Sequence, residues 1–213
     1  MSRVLSIDNL YNKKNKVLDF TGIWLDAMGK PEANGCWFIW GNSSNGKTVF
    51  AAKLAKYLSS FGRVFYNSLE EGASESLKTA FMIAGIEKGD RINPLDKMPI
   101  ADLKLKLKKS GSAWVIIIDS FQYAGLNKDS YKALLAEFPN KLFVLISHAE
   151  GKQPEGRTAK TVRYDADIKI WIEGYKAMPK SRFGGGEPII IWDKGSEQYW
   201  NTSTGSITKK QTK

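Results

Sequence analysis

The segment "WFIWGNSSNGKTVFAAKLAKYL", residues 37–58, constrains the fold of this chain more than any other. Residues 41–48 match the pattern G-x-x-x-x-G-K-[ST], in which backbone N–H groups surround phosphates, the lysine reaches the β- and γ-phosphates and the last hydroxyl binds Mg²⁺. The predicted nucleotide-binding residues are Gly41, Asn42, Ser43, Ser44, Asn45, Gly46, Lys47, Thr48 and Val49. Lys47 would supply the cation and Thr48 the metal contact.

The residues on either side of this loop have the patterns of a strand and a helix. Residues 37–40 are a short apolar and aromatic strand candidate. The apolar residues after the loop recur at i, i+3, i+4 and i+7, as a buried helix face requires; they are Ala51, Leu54, Ala55 and Leu58. The sequence therefore predicts the strand, turn and helix that a phosphate-binding loop needs.

Strand and helix patterns alternate along most of the chain. The predicted strands are 37–40, 63–67, 114–119, 142–147 and 168–173, and the predicted helices are roughly 47–60, 73–84, 100–109 and 129–138. Apolar runs such as "WVIII" and "LFVLI" suit a sheet that is buried on both faces, which indicates a parallel sheet between helical layers. The predicted fold class is α/β, a P-loop NTPase with a mostly parallel central sheet flanked by helices.

The ends of the chain differ from its centre. Residues 1–35 are polar and irregular, with a short helix candidate at 23–28, and are predicted to be a lead-in to a domain over 36–200. The segment "RFGGGEPIIIWDKGSEQYW" predicts an antiparallel hairpin at about 177–200, with Gly195 and Ser196 among its turn residues. Residues 201–213 are predicted to be a basic flexible tail.

Composition limits the partners and the cellular compartment. Lys and Arg outnumber Asp and Glu by 32 to 22, which favours an anionic partner, nucleic acid first and acidic lipid second. A lysine-rich helix face at "KLKLKKS" and a frayed tail would explain much of this excess without any ligand. The single cysteine excludes an internal disulfide. No signal peptide and no apolar run near the roughly 20 residues of a membrane span is visible, so a cytoplasmic location and no membrane partner are expected.

Three further residues at predicted strand ends complete a candidate catalytic site. Asp119 ends "WVIIID", where it would orient Mg²⁺ as a Walker B residue. The segment "RVFYNSLEE" ends in two carboxylates, of which Glu70 is the candidate base for the attacking water and Glu71 a first-turn acid of the next helix. His148, the one histidine, follows "LFVLIS" and would lie within reach of a γ-phosphate.

The order of these motifs resembles the RecA-like ATPase core, and within it the bacterial RadA and hexameric replicative-helicase branch. The segments that carry the resemblance are the P-loop, "SLEE", "IIIDS", "ISHAEGKQPEG", "DADIKIWIEG" and "KSRFGG", and they cover about residues 35–195. The resemblance implies ATP with Mg²⁺, assembly into a ring or filament, and binding of single-stranded DNA.

The resemblance also assigns roles to basic residues. Lys180 and Arg182 match the Lys-x-Arg-Phe-Gly signature, which implies that they reach the γ-phosphate of a neighbouring subunit's nucleotide. The segment between His148 and Asp167 stands at the position of a DNA-binding loop, and its length and its Gly and Pro residues predict a mobile loop. Its predicted DNA-binding cations are Lys152, Arg157, Lys160 and Arg163.

The chain departs from RadA proteins, which carry a four-cysteine zinc module and a protease-like domain. It also lacks the long N-terminal domain of replicative helicases, so the expectation is a stand-alone minimal core from a phage or mobile-element recombination or replication system. Phe121, Tyr123 and Trp171 could stack on bases, although core packing accounts for most aromatic residues. The preference for ATP over GTP rests on the resemblance.

Three functions are compatible with these motifs. The first is a DNA-stimulated ATPase of the RecA/RadA type in recombination, repair or replication, with ATP hydrolysed at subunit interfaces. The second is a single-stranded DNA-binding or annealing protein, or a helicase loader, in which ATP acts as an assembly switch with little turnover. The third is a small-molecule kinase, which the sequence disfavours because its basic residues do not form an arginine-rich lid.

Overall fold

A computed structural model describes the backbone of residues 4–208 and the side chains of residues 4–201. The helices are α1 (Ile7–Tyr11), α2 (Gly22–Met28), α3 (Lys47–Ser59), α4 (Glu75–Ile83), α5 (Ile100–Leu107), α6 (Lys128–Glu137), α7 (Arg157–Asp165) and α8 (Asp193–Thr208), with a 3-10 helix at Phe121–Ala124. The strands are β1 (Gly35–Gly41), β2 (Val64–Ser68), β3 (Ile92–Asp96), β4 (Val115–Asp119), β5 (Leu142–Glu150), β6 (Gln153–Pro154), β7 (Ile168–Glu173), β8 (Lys176–Ser181) and β9 (Ile189–Ile190).

The strands form a sheet in the order β3-β2-β4-β5-β1-β7-β8-β9, with β6 paired to β5. The strands from β3 to β7 in this order run parallel, whereas β8, β9 and β6 are antiparallel to their neighbours. The predicted fold class is therefore confirmed. Because parallel strands point the same way, the carboxyl ends of β1, β2, β4 and β5 meet at one edge of the sheet.

Both faces of the sheet are buried, as the continuous apolar strands predict. Val115 and Ile117 of β4 face the core that contains α3, while Ile116 and Ile118 face the core that contains α5, α6 and α7. The buried face of α3 includes the four residues predicted from its periodicity. Each fully buried aliphatic side chain contributes roughly 1.5–3 kcal/mol relative to exposure, so this packing fixes the helix that follows the phosphate-binding loop.

The N-terminal segment packs against the domain, and the prediction of an irregular lead-in for residues 1–35 is wrong from about residue 17 onward. Leu18 and Phe20 are buried beside α3, and Trp24 of α2 stacks on Tyr57 with ring centroids 5.0 Å apart. The Tyr57 hydroxyl also accepts a hydrogen bond from the Thr21 N–H at 2.9 Å. The short helix predicted at 23–28 is confirmed as α2.

The antiparallel strands near the C-terminus are confirmed, but their turn is not where the sequence predicts it. The hairpin joins β7 and β8 through Gly174 and Tyr175, and the predicted turn residues Gly195 and Ser196 lie within α8. A Cβ at Gly195 would lie 2.1 Å from the Trp192 ring, so this glycine permits a close ring contact in a helix. The helix also includes residues 201–208 of the predicted tail, and residues 209–213 lie outside the described residues.

Two further elements differ from the predictions. The segment after His148, predicted to be a mobile loop, forms β6 and the helix α7, whose Ala159 and Val162 are buried against the sheet. Strand β3 was not predicted because its sequence "INPLD" contains Pro94. It pairs only with β2 and lies at an edge, where a proline is tolerated.

Candidate nucleotide-binding site

The phosphate-binding loop connects β1 to α3, as predicted. Gly41 is the last residue of β1, and a Cβ there would lie 2.3 Å from the Ile172 carbonyl oxygen, so only glycine allows β7 to approach this closely. Gly46 stands at the N-cap of α3 with φ of 93°, a left-handed conformation that favours glycine. The helix therefore begins directly behind the loop, and its N-terminus faces the space that phosphates would occupy.

The loop is braced by polar contacts of its own residues. The Asn45 side chain donates to the Ser43 carbonyl at 2.9 Å and accepts from the Gly174 N–H at 2.7 Å. The Lys47 ammonium donates to the Asn42 carbonyl at 2.9 Å. Burial lowers the pKa of Lys47, while the neighbouring Asp119 and Glu70 carboxylates oppose that shift. The lysine thus lies between the loop and the acidic residues of the site.

Asp119 ends β4 next to Ser68, its partner at the end of β2. Burial raises the pKa of Asp119 to about 6, although a 2.7 Å hydrogen bond from the Tyr66 hydroxyl to its Oδ2 lowers it. A bound cation would lower this pKa again and keep the carboxylate ionised. Thr48 and Asp119 line the same cavity and offer only oxygen ligands, which Mg²⁺ prefers, so these residues fit the metal.

Glu70 and His148 contact each other across the strand ends. The Glu70 Oε2 lies 2.8 Å from the Nε2 of His148, and the Glu155 Oε2 lies 3.5 Å from the Nδ1 of the same ring. The Glu70 backbone is positioned because its N–H donates to the Asp119 carbonyl at 3.3 Å. The candidate base and the candidate γ-phosphate sensor are therefore one hydrogen-bonded pair on the cavity wall.

Glu71 does not have the role predicted for it. Helix α4 begins at Glu75, with Ser74 as its N-cap, so Glu71 precedes the first turn. Its carboxylate accepts a hydrogen bond from the Ser74 hydroxyl at 3.2 Å and also lines the cavity. Glu71 therefore supports the residue that caps α4.

These residues surround a cavity of about 390 Å³. The cavity is lined by Ser43, Ser44, Gly46, Lys47, Thr48, Val49, Ser68, Glu70, Glu71, Ser76, Asp119, His148 and Tyr175. Sequence reasoning missed Tyr175, which lies in the β7–β8 turn with its ring about 3.3 Å from the position of a Cβ on Gly46. Its ring also meets Trp192 edge to face, with centroids 5.0 Å apart. A turn residue between two strands carries no sequence signal for this location.

Lys180 and Arg182 lie far from this cavity. Lys180 pairs with Lys169, and the Arg182 N–H donates to the Asp167 carbonyl, at the end of β7 opposite to the phosphate-binding loop. At roughly 3.3 Å per residue, the five residues from Asp167 to Ile172 separate Arg182 from Gly41 by about 17 Å. The Arg182 side chain forms a 3.0 Å salt bridge with Asp167. Neither residue contacts the cavity of its own chain.

The predicted DNA-binding cations divide into two groups. Lys152 lies in the turn between β5 and β6, and the other three lie on α7, where Arg157 and Lys160 are exposed and Arg163 packs over the Trp40 ring at 5.4 Å. The candidate stacking residues also differ. Their environments are a core position for Phe121, an exposed position near His148 for Tyr123 and a half-buried position against Trp40 for Trp171.

The basic stretch "KLKLKKS" has a structural explanation. Lys104 and Lys108 lie on one side of α5 and both form salt bridges with Glu137, at 2.6 and 2.8 Å. The interpretation of this stretch as an exposed lysine-rich helix face is therefore confirmed. Among residues 4–208, no helix is long and apolar enough to cross a membrane.

Comparisons with known proteins place the fold. No protein-family model and no curated protein matches the sequence. Among solved structures, the flagellar accessory protein FlaH from Methanocaldococcus jannaschii matches with a TM-score of 0.59 and 20% identity, over 83% of this chain and 97% of FlaH. The ATPase domain of a helicase matches with a TM-score of 0.50 and 19% identity, over 74% of this chain and 80% of that domain. At this level of identity the likeness shows that the chain has the RecA-like P-loop fold.

Proposed function

We propose that this protein is a Mg²⁺-dependent ATP hydrolase of the RecA/RadA type, stimulated by single-stranded DNA and acting in DNA recombination, repair or replication. The observation that carries the proposal is the convergence of Lys47, Thr48, Asp119 and the Glu70–His148 pair on one cavity behind a helix N-terminus. The RecA-like fold and the net charge of +10 support it. The branch of RadA and replicative helicases, and residence in the cytoplasm of a bacterial or phage-infected cell, stay predictions.

Each residue of the cavity has a task in this reaction. The loop N–H groups and Lys47 hold the phosphates, and Thr48 and Asp119 would hold the metal. Mg²⁺ supplies neutralisation of the charge that develops on the phosphate oxygens. Glu70 orients the attacking water and accepts its proton. His148, which contacts Glu70, would respond to the γ-phosphate by releasing or holding that carboxylate.

The position of the signature cations supports sites between subunits. Within the described residues, Lys47 is the only cationic side chain other than His148 on the cavity wall. Arg182 lies at the opposite edge of the sheet and is exposed, so a second subunit could bring it to this cavity. A cation supplied in trans stabilises the transition state as an arginine finger does. Assembly as a homo-oligomeric ring or filament follows from this arrangement.

One observation favours the alternative of an ATP-switched DNA-binding protein, annealing protein or helicase loader. The Glu70 carboxylate is held at 2.8 Å by His148, and within the described residues no arginine lines the cavity. Such a site can bind nucleotide yet turn it over slowly until a neighbour or DNA changes it. The two functions therefore differ in the rate and in its dependence on DNA.

The test is steady-state ATP hydrolysis with Mg²⁺, with and without single-stranded DNA, over a range of protein concentrations. We expect a rate per subunit that rises with DNA and with protein concentration, because composite sites form on a DNA-bound assembly. Excess EDTA is expected to abolish the reaction. A DNA-independent rate that is flat with concentration would contradict the proposal, whereas tight nucleotide-dependent DNA binding with negligible turnover would identify the switch.

Tyr175 provides a second test of the cavity. Tyr175→Ala is expected to weaken nucleotide binding on the order of 10-fold, because the ring forms a wall beside Gly46 on which a base can stack. The matched variant Tyr175→Phe keeps the ring and is expected to bind as the wild type does. Titration with a fluorescent ATP analogue measures both affinities, and thermal unfolding confirms that each variant folds. Equal affinities for the two variants would place the base elsewhere.

A further inference from the structure

A second cavity, of about 620 Å³, lies on the opposite face of the sheet from α3, between α7 and the C-terminal helix α8. We call it the tryptophan groove. The residues that define it are Trp40, Lys152, Arg163, Tyr164, Lys169 and Trp171. Trp40 and Trp171 form its floor, with ring centroids 5.5 Å apart, and the other four form its rim.

The groove follows from the alternation of β7. Ile168, Ile170 and Ile172 point into the core with α3, so Lys169 and Trp171 face the other side of the sheet. Because β7 lies beyond β1 in the strand order, α7 covers only part of that side. A sheet surface with two aromatic rings is therefore left accessible.

The groove carries an excess of positive charge. Lys180 also lines it and pairs with Lys169 in the adjacent strand, an arrangement of like charges that destabilises a sheet. Burial, and then the nearby Arg182 and Arg163, lower the pKa of Lys169. The carboxylate in the groove, Glu173, already accepts hydrogen bonds from the Trp171 Nε1 at 3.1 Å and the Tyr199 hydroxyl at 3.2 Å. Within the described residues, none of the groove's cations forms a salt bridge, which a bound anion would change.

The rings of the groove are arranged for stacking. Tyr164 is 80% exposed and Trp171 is half-buried, whereas Trp40 is covered by the Arg163 guanidinium at 5.4 Å. The Lys169 ammonium lies 5.8 Å from the centre of the Tyr164 ring. Cations therefore stand beside accessible aromatic faces, and a ligand that alternates phosphates with flat heteroaromatic rings satisfies both.

We propose that the tryptophan groove binds a single strand of nucleic acid, with bases stacked on Tyr164 and Trp171 and phosphates held by Lys152, Arg163 and Lys169. This inference rests on the proposed function, since it identifies where the stimulating strand binds. A duplex is excluded by its stacked bases, which cannot present a face to these rings. The exposed cations Arg157 and Lys160 continue along α7, and the seven residues from Arg157 to Tyr164 span about 10 Å, which is longer than one nucleotide needs.

The groove is connected to the nucleotide cavity through two strands. Trp40 directly precedes Gly41 at the start of the phosphate-binding loop, and Glu173 directly precedes Gly174, whose N–H donates to Asn45 of that loop. A strand that stacks on Trp171 therefore contacts the segment that braces the loop. This path gives DNA a physical means to change ATP turnover.

The first experiment measures the binding of a fluorescently labelled oligothymidylate of about 20 nucleotides by anisotropy, at several salt concentrations. Tyr164→Ala and Lys169→Glu are each expected to weaken binding on the order of 10-fold, and Lys169→Glu to reduce the salt slope by about one phosphate. The matched controls Tyr11→Ala and Lys109→Glu change exposed residues far from the groove and are expected to bind as the wild type does. Circular dichroism checks that every variant is folded.

The second experiment locates the strand without any variant. An oligonucleotide that carries a photoreactive thymidine analogue is cross-linked to the wild-type protein, and the modified peptides are identified by mass spectrometry. We expect cross-links at Tyr164 or Trp171. Cross-links confined to other parts of the chain, or equal losses for Lys109→Glu and Lys169→Glu, would overturn the groove while leaving a DNA-stimulated ATPase intact.

Two other outcomes are also decisive. Thymidine monophosphate that blocks these cross-links at the same concentration as the oligonucleotide would show that the occupant is a free nucleotide, and the strand proposal would fail. A wild-type protein that hydrolyses ATP yet binds no single strand would overturn both the groove and the DNA dependence, but not the ATPase. Hydrolysis and strand binding are therefore measured on the same preparations.

Discussion

Lys47→Ala is expected to lower ATP turnover by about 10²- to 10³-fold or more, because it removes a cation that acts where charge develops in the transition state. The structure adds a second reason. Asp119 and Glu70 lie close enough to influence the pKa of Lys47, so its loss leaves carboxylates facing a polyanionic ligand. The same loss should raise the pKa of Asp119 further, since Lys47 lowers it in the wild type. Nucleotide affinity is expected to fall together with turnover.

The matched control is Lys78→Ala. Lys78 is an exposed residue of α4 whose salt bridge with Glu75 is also exposed, so its removal changes the net charge equally without touching the cavity. Hydrolysis is measured by phosphate release and nucleotide affinity by titration with a fluorescent analogue. Wild-type turnover by Lys47→Ala, with Lys78→Ala unchanged, would contradict the assignment of residues 41–48 as the phosphate-binding loop.

Local patterns predict the elements on which the nucleotide cavity is built. The strand, turn and helix around Gly46 follow from one motif and one helical period, and Asp119 follows from an apolar run that ends in a carboxylate. These signals are strong because the buried strands are apolar on both faces and the buried helix face repeats over several turns. The positions of α3, β4 and β5 are therefore predictable without knowledge of the sheet order.

The elements that sequence reasoning missed have weak or contradictory local signals. Helix α7 buries only Ala159 and Val162, and the Gly and Pro residues before it are typical of a loop. Helix α8 contains Gly195, which the sequence suggests is a turn residue but which accommodates the Trp192 ring. In both cases tertiary packing overrides the local preference.

Contacts within the site depend on the order of the strands, which no local pattern gives. Glu70 and His148 are 78 residues apart and meet because β2, β4 and β5 are consecutive neighbours in the sheet. Tyr175 reaches the cavity because β7 pairs with β1. The ends of strands could be predicted to carry the catalytic residues, whereas their partners and the base-facing wall could not.

Arg182→Ala is expected to leave nucleotide binding largely intact and to lower hydrolysis by about 10³-fold, the effect of removing an arginine finger. Its location supports this separation, since Arg182 lies at the sheet edge opposite to Gly41 and outside the cavity of its own chain. The lost salt bridge with Asp167 is solvent-exposed and contributes about 0–1 kcal/mol, so the fold should persist. Arg182→Lys keeps the charge without the planar fork and is expected to restore only part of the activity.

Mixing this variant with Glu70→Gln, which lacks the catalytic base, tests whether sites are shared between subunits. In a mixed assembly, a subunit with intact Glu70 can receive Arg182 from its neighbour, and equal mixing makes about a quarter of the sites complete. Hydrolysis by the mixture should therefore exceed that of either variant alone. The control mixes wild type with the double variant Glu70→Gln/Arg182→Ala, and its activity gives the level expected from exchange of subunits. If no mixing ratio raises hydrolysis above the single variants, Arg182 does not act on a neighbour's nucleotide, and its contact with Asp167 is the role that remains.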